Sequence, residues 1–163
     1  ANIFIQAKNS YYAFAICPGF WESILGLHRK GHVCSIDQIQ DELLRGKDDL
    51  ADWTKHELPK TFFQNTGDLE IRAAYREIIL WIQSTPQFFD TAKADFAASA
   101  DGWLIAFAKV NDLAVVTHEA HRPEVRNRVP IPNVCKQFDV RPCDTFLMLK
   151  ELGIRFDWKK KSI

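Results

Sequence analysis

Several features are scarce in this chain, and each scarcity removes a class of protein. There is no net charge, since Lys and Arg number 21 and so do Asp and Glu. A strongly cationic nucleic-acid binder is therefore not indicated by the total. Cysteine is limited to positions 17, 34, 135 and 143, without a C-x-x-C or a Cys–His cluster at zinc-finger spacing. Four such cysteines do not read as a disulfide framework, and reduced, mostly buried thiols in a cytoplasmic protein are expected. Glycine and proline number only 7 each, against 47% apolar and 26% charged residues, which excludes collagen, low complexity and wholesale disorder. No apolar run approaches the roughly 18 residues of a spanning helix, no signal peptide is visible, and no membrane partner is expected. No internal repeat is present.

What remains is a globular composition over 163 residues, enough for one domain with its own core. Residues 1–158 are read as that domain and 159–163 as a basic C-terminal tail. The zero charge conceals a split. Residues 1–115 carry 11 basic and 15 acidic side chains, a balance of −4, whereas residues 116–163 carry 10 and 6, a balance of +4. Such asymmetry can mark an end that faces a polyanion.

Alternation and β-branching in Ala1-Asn2-Ile3-Phe4-Ile5 predict a strand. A strand at the first residue leads to the expectation that chain precedes it. Pro18-Gly19 opens a helix that runs to about Lys30, with Gly31 as its stop. A short strand at 33–36 leads into a helix whose start is marked by Ser35 and Gln38 at capping-box spacing, and whose end is Gly46. Helices are predicted over 48–57, 68–83, 87–99, 101–111 and 144–152. The stripe Ile71, Ala74, Tyr75, Ile78 and Ile82 makes the second of these the clearest. Leu113 to Thr117 reads as a strand buried on both faces, 134–140 and 154–156 as further strands, and 121–133 as a loop. Strands alternating with helices predict an α/β fold: a parallel sheet of four or five strands flanked by helices, with ligands at the carboxyl ends of the strands.

Three acidic residues occupy such places. Glu42 lies on the helix after the second strand, Asp101 opens a helix, and Glu119 follows the strand ending at Thr117. Taken singly, each has an ordinary structural reading, as a solvated flank, an N-cap or a loop charge. Together they lie in Gln40-Asp41-Glu42-Leu43, Ala100-Asp101-Gly102-Trp103-Leu104-Ile105-Ala106 and Val115-Val116-Thr117-His118-Glu119. With Ala1 to Ile5, Ile131 to Cys135 and Phe146 to Leu149, these segments resemble the PIN-domain family of metal-dependent ribonucleases, and within it a PIN-like subfamily formerly of unknown function. The resemblance runs from end to end of the chain.

The resemblance implies a PIN-like α/β/α fold and a metal-dependent endoribonuclease, the toxin of a type II toxin–antitoxin pair. It implies that Glu42, Asp101 and Glu119 hold Mg²⁺ or Mn²⁺, with Asn2 and Thr117 orienting a carboxylate or a water. The chemistry is coherent, because hydrolysing a phosphodiester needs an activated water and charge relief, and hard cations with oxygen ligands supply both. Two departures stand out. The family's first catalytic Asp would directly precede Ala1, and is expected upstream. Glu119 stands where Asp is common, and its extra methylene suits a water-mediated contact.

RNA would be held by Arg122, Arg126 and Arg128, close behind Glu119, and by Lys8 and Tyr11 past the first strand. His118 and His121 lack a third soft ligand and read as surface histidines. Ile78 to Ile82 covers more than one helical face, so part of it is expected to meet an antitoxin or a second copy in a homodimer. Two alternatives stand beside the nuclease: a non-catalytic RNA- or partner-binding module of the same fold, and a haloacid-dehalogenase-type phosphotransferase, which would require an Asp at Asn2.

Overall fold

The computed structural model describes residues 2–157, the side chain of Asn2 excepted. In chain order the elements are α1 (Asn2–Asn9), α2 (Pro18–Arg29), β1 (Ser35–Ile36), α3 (Asp37–Arg45), α4 (Asp49–His56), a 3₁₀ turn (Lys60–Phe62) and β2 (Phe63–Gln64). Then follow α5 (Leu69–Ser84), α6 (Asp90–Ala98), α7 (Asp101–Val110), β3 (Val115–Val116), α8 (Ile131–Gln137), β4 (Pro142–Cys143) and α9 (Thr145–Glu151). The basic tail lies outside the described residues.

The expected parallel sheet of four or five strands does not form. Among the described residues the strands make two separate parallel ribbons, β1 with β2 and β3 with β4. Each strand has two residues, so the structure is predominantly helical. The reasons lie in three segments expected to be strands. Residues 2–9 carry two patterns at once, and the helical one prevails: Ile3, Phe4 and Ala7 turn inward while Ile5 and Gln6 face out. Phe4 packs against Trp21, Trp53 and Phe62. Residues 134–140 belong mostly to α8, which has a proline in its first turn, where a missing N–H costs nothing. Residues 154–156 are spent on ending α9: Gly153 N–H donates to Lys150 O and Ile154 N–H to Leu149 O.

That last arrangement is a Schellman cap, and three other helices end the same way. The donors reaching back five residues are His32 for α2, Leu113 for α7 and Val140 for α8. The left-handed residue is Gly31 (φ 75°) after α2, Asp112 (φ 53°) after α7, Asp139 (φ 56°) after α8 and Gly153 (φ 69°) after α9. The chain thus turns sharply at each end and lays the next apolar residue back on its helix.

The helices otherwise follow the expected periodicity. In α5 the stripe Ile71, Ala74, Ile78 and Ile82 is buried. The capping box at Ser35 does not form. Asp37 instead takes the Gln38 N–H at 2.9 Å and also binds Thr66 through the latter's N–H and hydroxyl, tying α3 to the strand end after β2. Helix α7 is buried on most sides and packs on α5, α6, α8, β1 and β3, so it is the element that both ribbons share.

Candidate functional site

Two of the three proposed acidic residues, Glu42 and Asp101, meet at the N-terminus of α7, and the third, Glu119, lies at the N-terminus of α8. Asp101 is the first residue of α7. Glu42, on α3, accepts the N–H of Ala100 at 3.0 Å, and Ala100 is the N-cap of α7. Glu119 comes three residues after β3 and accepts the N–H of Ile131, the first residue of α8, at 2.7 Å. Both glutamates therefore place a carboxylate where a helix presents unsatisfied N–H groups and positive partial charge. Thr117 is buried and grips the same turn from within, its hydroxyl accepting the Glu119 N–H at 3.1 Å while its own N–H donates to Cys143 O at 2.8 Å. Thr117 thus holds the backbone that carries the Glu119 carboxylate. Asn2 opens α1, and its side chain lies outside the described part of the structure.

Asp101 senses the other two carboxylates. Burial is the main force raising Asp101 above the usual carboxylate range, and the charges of Glu119 and Glu42 push it the same way, against a hydrogen bond from Ser99. Cys135, in α8, feels Glu119 as well; burial drives its thiol up to about 12, so it is an inert core group. A cavity of about 380 Å³, lined by residues of both ribbons, reaches Asp101 and Thr117; His32, Ser35 and Glu151 also line it, and most of its wall is apolar, as at Ile39, Phe62 and Val115.

The donor types suit a hard divalent cation: oxygen ligands with no lysine among them. Their spacing does not close a shell by itself. Among the described residues, no three His, Cys, Asp or Glu side chains gather closely enough to hold a metal ion. Magnesium sites built on one or two carboxylates plus substrate phosphates have no need of such a cage.

The basic and aromatic candidates divide. Lys8 is engaged, with Nζ 2.6 Å from both Asp48 and Asp49, whose carboxylates raise its pKa. Arg126 lies across Phe89 at 4.8 Å and donates from Nε to Gln87 O at 3.3 Å, which pins the 121–130 loop to the start of α6. Arg128 sits 4.0 Å from Glu119, near enough to sense the carboxylates. Arg122 has an exposed side chain on a backbone clamped by Asn133, whose side chain both accepts from its N–H and donates to its carbonyl. Tyr11 is 78% exposed.

The surface expected on α5 is smaller than its sequence suggested. Ile78 and Ile82 are fully buried, Trp81 packs on Phe88 and Phe138, and only Leu80 of that run is largely exposed. A feature that sequence reasoning missed is Phe146, whose ring lies beside Tyr11, Tyr12 and His118. Its signal was faint: an aromatic in the first turn of α9, on the side away from the apolar pair Met148 and Leu149.

No helix among the described residues is long and apolar enough to cross a membrane. Residues 1–156 match a family described as a domain of unknown function (DUF4411). Neither a curated protein nor a solved structure matches the chain.

Proposed function

The chain belongs to the DUF4411 family, and we propose that it is a metal-dependent endoribonuclease acting in the cytoplasm as the toxin of a type II toxin–antitoxin pair. The observation that carries the reading is that Glu42, Asp101 and Glu119 come from three separate segments, and that the charges of Glu119 and Glu42 add to the burial that raises Asp101. Burying like charges together is costly unless a cation or a proton compensates. Mg²⁺ or Mn²⁺ would be held by Asp101 with Glu42 and Glu119, and would supply charge relief at the phosphate. Glu42 and Glu119 each accept a backbone N–H, which orients their carboxylates. Arg122 and Arg128 stand where an RNA backbone would reach the same place. The partners proposed are RNA and a cognate antitoxin, with a homodimer as a further form.

The test is cleavage of a labelled RNA in Mn²⁺, in Mg²⁺ and in EDTA. Wild type is expected to cut only with metal, and Glu42→Gln combined with Asp101→Asn to abolish cutting. Gln keeps an oxygen for the Ala100 N–H, so the helix start is preserved. A parallel melt reads metal directly: Mn²⁺ should raise the midpoint of wild type and leave the double variant unmoved. Cleavage that survives the double variant sinks the proposal. One observation favours a second reading, a non-catalytic binding module: both glutamates already serve helix N-termini. It predicts RNA binding that persists in the double variant with no cleavage by either protein.

A further inference from the structure

Beside the carboxylates lies a group of rings from three parts of the chain. Tyr11 and Tyr12 follow α1, His118 stands between Thr117 and Glu119, and Phe146 is in the first turn of α9. Ring centroids are 6.3 Å apart for Tyr11–Phe146, 6.1 Å for Tyr12–Phe146 and 5.8 Å for His118–Phe146. The Thr145 hydroxyl lies 2.9 Å from His118 Nε2 and holds that ring in place. Tyr11 is 78% exposed and Phe146 51% exposed, so this cluster spends its aromatic surface on solvent.

We infer that the cluster is a stacking platform for an unpaired base of single-stranded RNA, an inference that rests on the nuclease reading above. Three features point to a base. The first is continuity: His118 is joined by one peptide bond to Glu119, so a strand whose phosphate lies at the carboxylates has its neighbouring base within reach of Phe146. The second is geometry. Tyr11 meets Phe146 edge to face, which leaves at least one face of the phenol ring open. A base stacks on such a face whatever its identity. The third is chemistry: the rings carry polar atoms, a phenol hydroxyl and an imidazole, suited to a surface that is wet when empty. Bases in a duplex already have both faces covered, so the platform selects single strands.

The experiment is fluorescence anisotropy in EDTA, where no cleavage occurs, with a short fluorescein-labelled oligo(A) and with a duplex of similar length. Tyr11→Ala and Phe146→Ala should each weaken oligo(A) binding about tenfold and leave the weaker duplex binding unchanged, while Tyr11→Trp keeps it. Should Phe146→Ala fail to fold, Tyr11→Ala decides, because its exposed ring contributes little to the core. Oligo(A) binding unchanged within about twofold in Tyr11→Ala overturns the platform, even if wild type cleaves RNA. Equal losses on duplex and single strand overturn it as well. So does altered self-association in sedimentation with RNA binding intact, which would make the rings a protein contact. Ring-dependent binding by a wild type that never cleaves sinks the nuclease reading and leaves the platform standing.

Discussion

Asp101 shows how one side chain can report on a whole site. It sits partly buried at the head of α7 with two glutamates nearby, and its proton is held to higher pH than in the unfolded chain. For an acid whose folded pKa is raised, the associated stability is complete below the ordinary value of 3.8 and is lost as pH rises through the folded value. Asp101→Asn removes that loss. In metal-free buffer the variant should therefore melt above wild type at neutral pH, with the gap closing below about pH 4. Paired denaturation curves across that range measure it, and a variant less stable than wild type at neutral pH would contradict the assigned sign. At this scale residue type and spacing singled out Glu42, Asp101 and Glu119; the fold sets Glu42 beside Asp101 at the head of α7 and Glu119 at the head of α8. The pairing of Lys8 was not legible, because Asp48 lies 40 positions along the chain and nothing local shows that it and Asp49 will fold onto the lysine.

Among the elements, long periodic helices were legible; of the two-residue strands, β1 and β3 lie within predicted ones, whereas β2 and β4 do not. Helix α5 repeats its apolar stripe over four turns, which leaves little freedom for another assignment. Phe63-Gln64 and Pro142-Cys143 are strands only because a distant partner supplies hydrogen bonds, and two residues carry no period to detect. Helix α8 was missed for a different reason. Its closing residue Val140 is apolar because it folds back onto the helix, which lengthened the apparent apolar run into a strand-like one. The same cap offers a test. Asp139 takes φ 56°, a left-handed conformation that is costly for a residue with a Cβ. Asp139→Gly should stabilise the protein by about 0.5–1 kcal/mol, read from the denaturant midpoint. A loss of stability would mean that the carboxylate itself supports the cap.

The whole molecule has balanced charge, and much of it is internally engaged. Lys8, Lys109 and Arg141 are paired with acidic side chains, Lys109 also lies over Phe138, and Arg126 covers Phe89. Arg122, Arg126 and Arg128 are all exposed, and Arg126 is laid across Phe89, so Arg122 and Arg128 are the arginines proposed to meet an RNA phosphate. Affinity for single-stranded RNA should accordingly fall gently with salt, with a log–log slope of about −1 to −2, as for two or three phosphates neutralised. Anisotropy titrations at several salt concentrations give the slope. A value near −5 would show that a much larger cationic surface is at work. At this scale the architecture was not legible in the sequence, because alternation of helices and apolar runs is shared by a continuous sheet and by two isolated ribbons.

Those ribbons have a kinetic consequence. Ser35 pairs with Phe63 and Val115 with Pro142, partners 28 and 27 positions apart. Closing either loop costs nearly the same chain entropy, since that cost grows only with the logarithm of loop length. Neither pairing has to await the other, so order can begin at two places in the chain at once. A folding route with two separate beginnings needs a common end, and the packing of α7 against both ribbons provides it. The acidic residues at its head would then come into register late, so that the costly burial of Asp101 near two other carboxylates is deferred until most of the core that sustains it already exists.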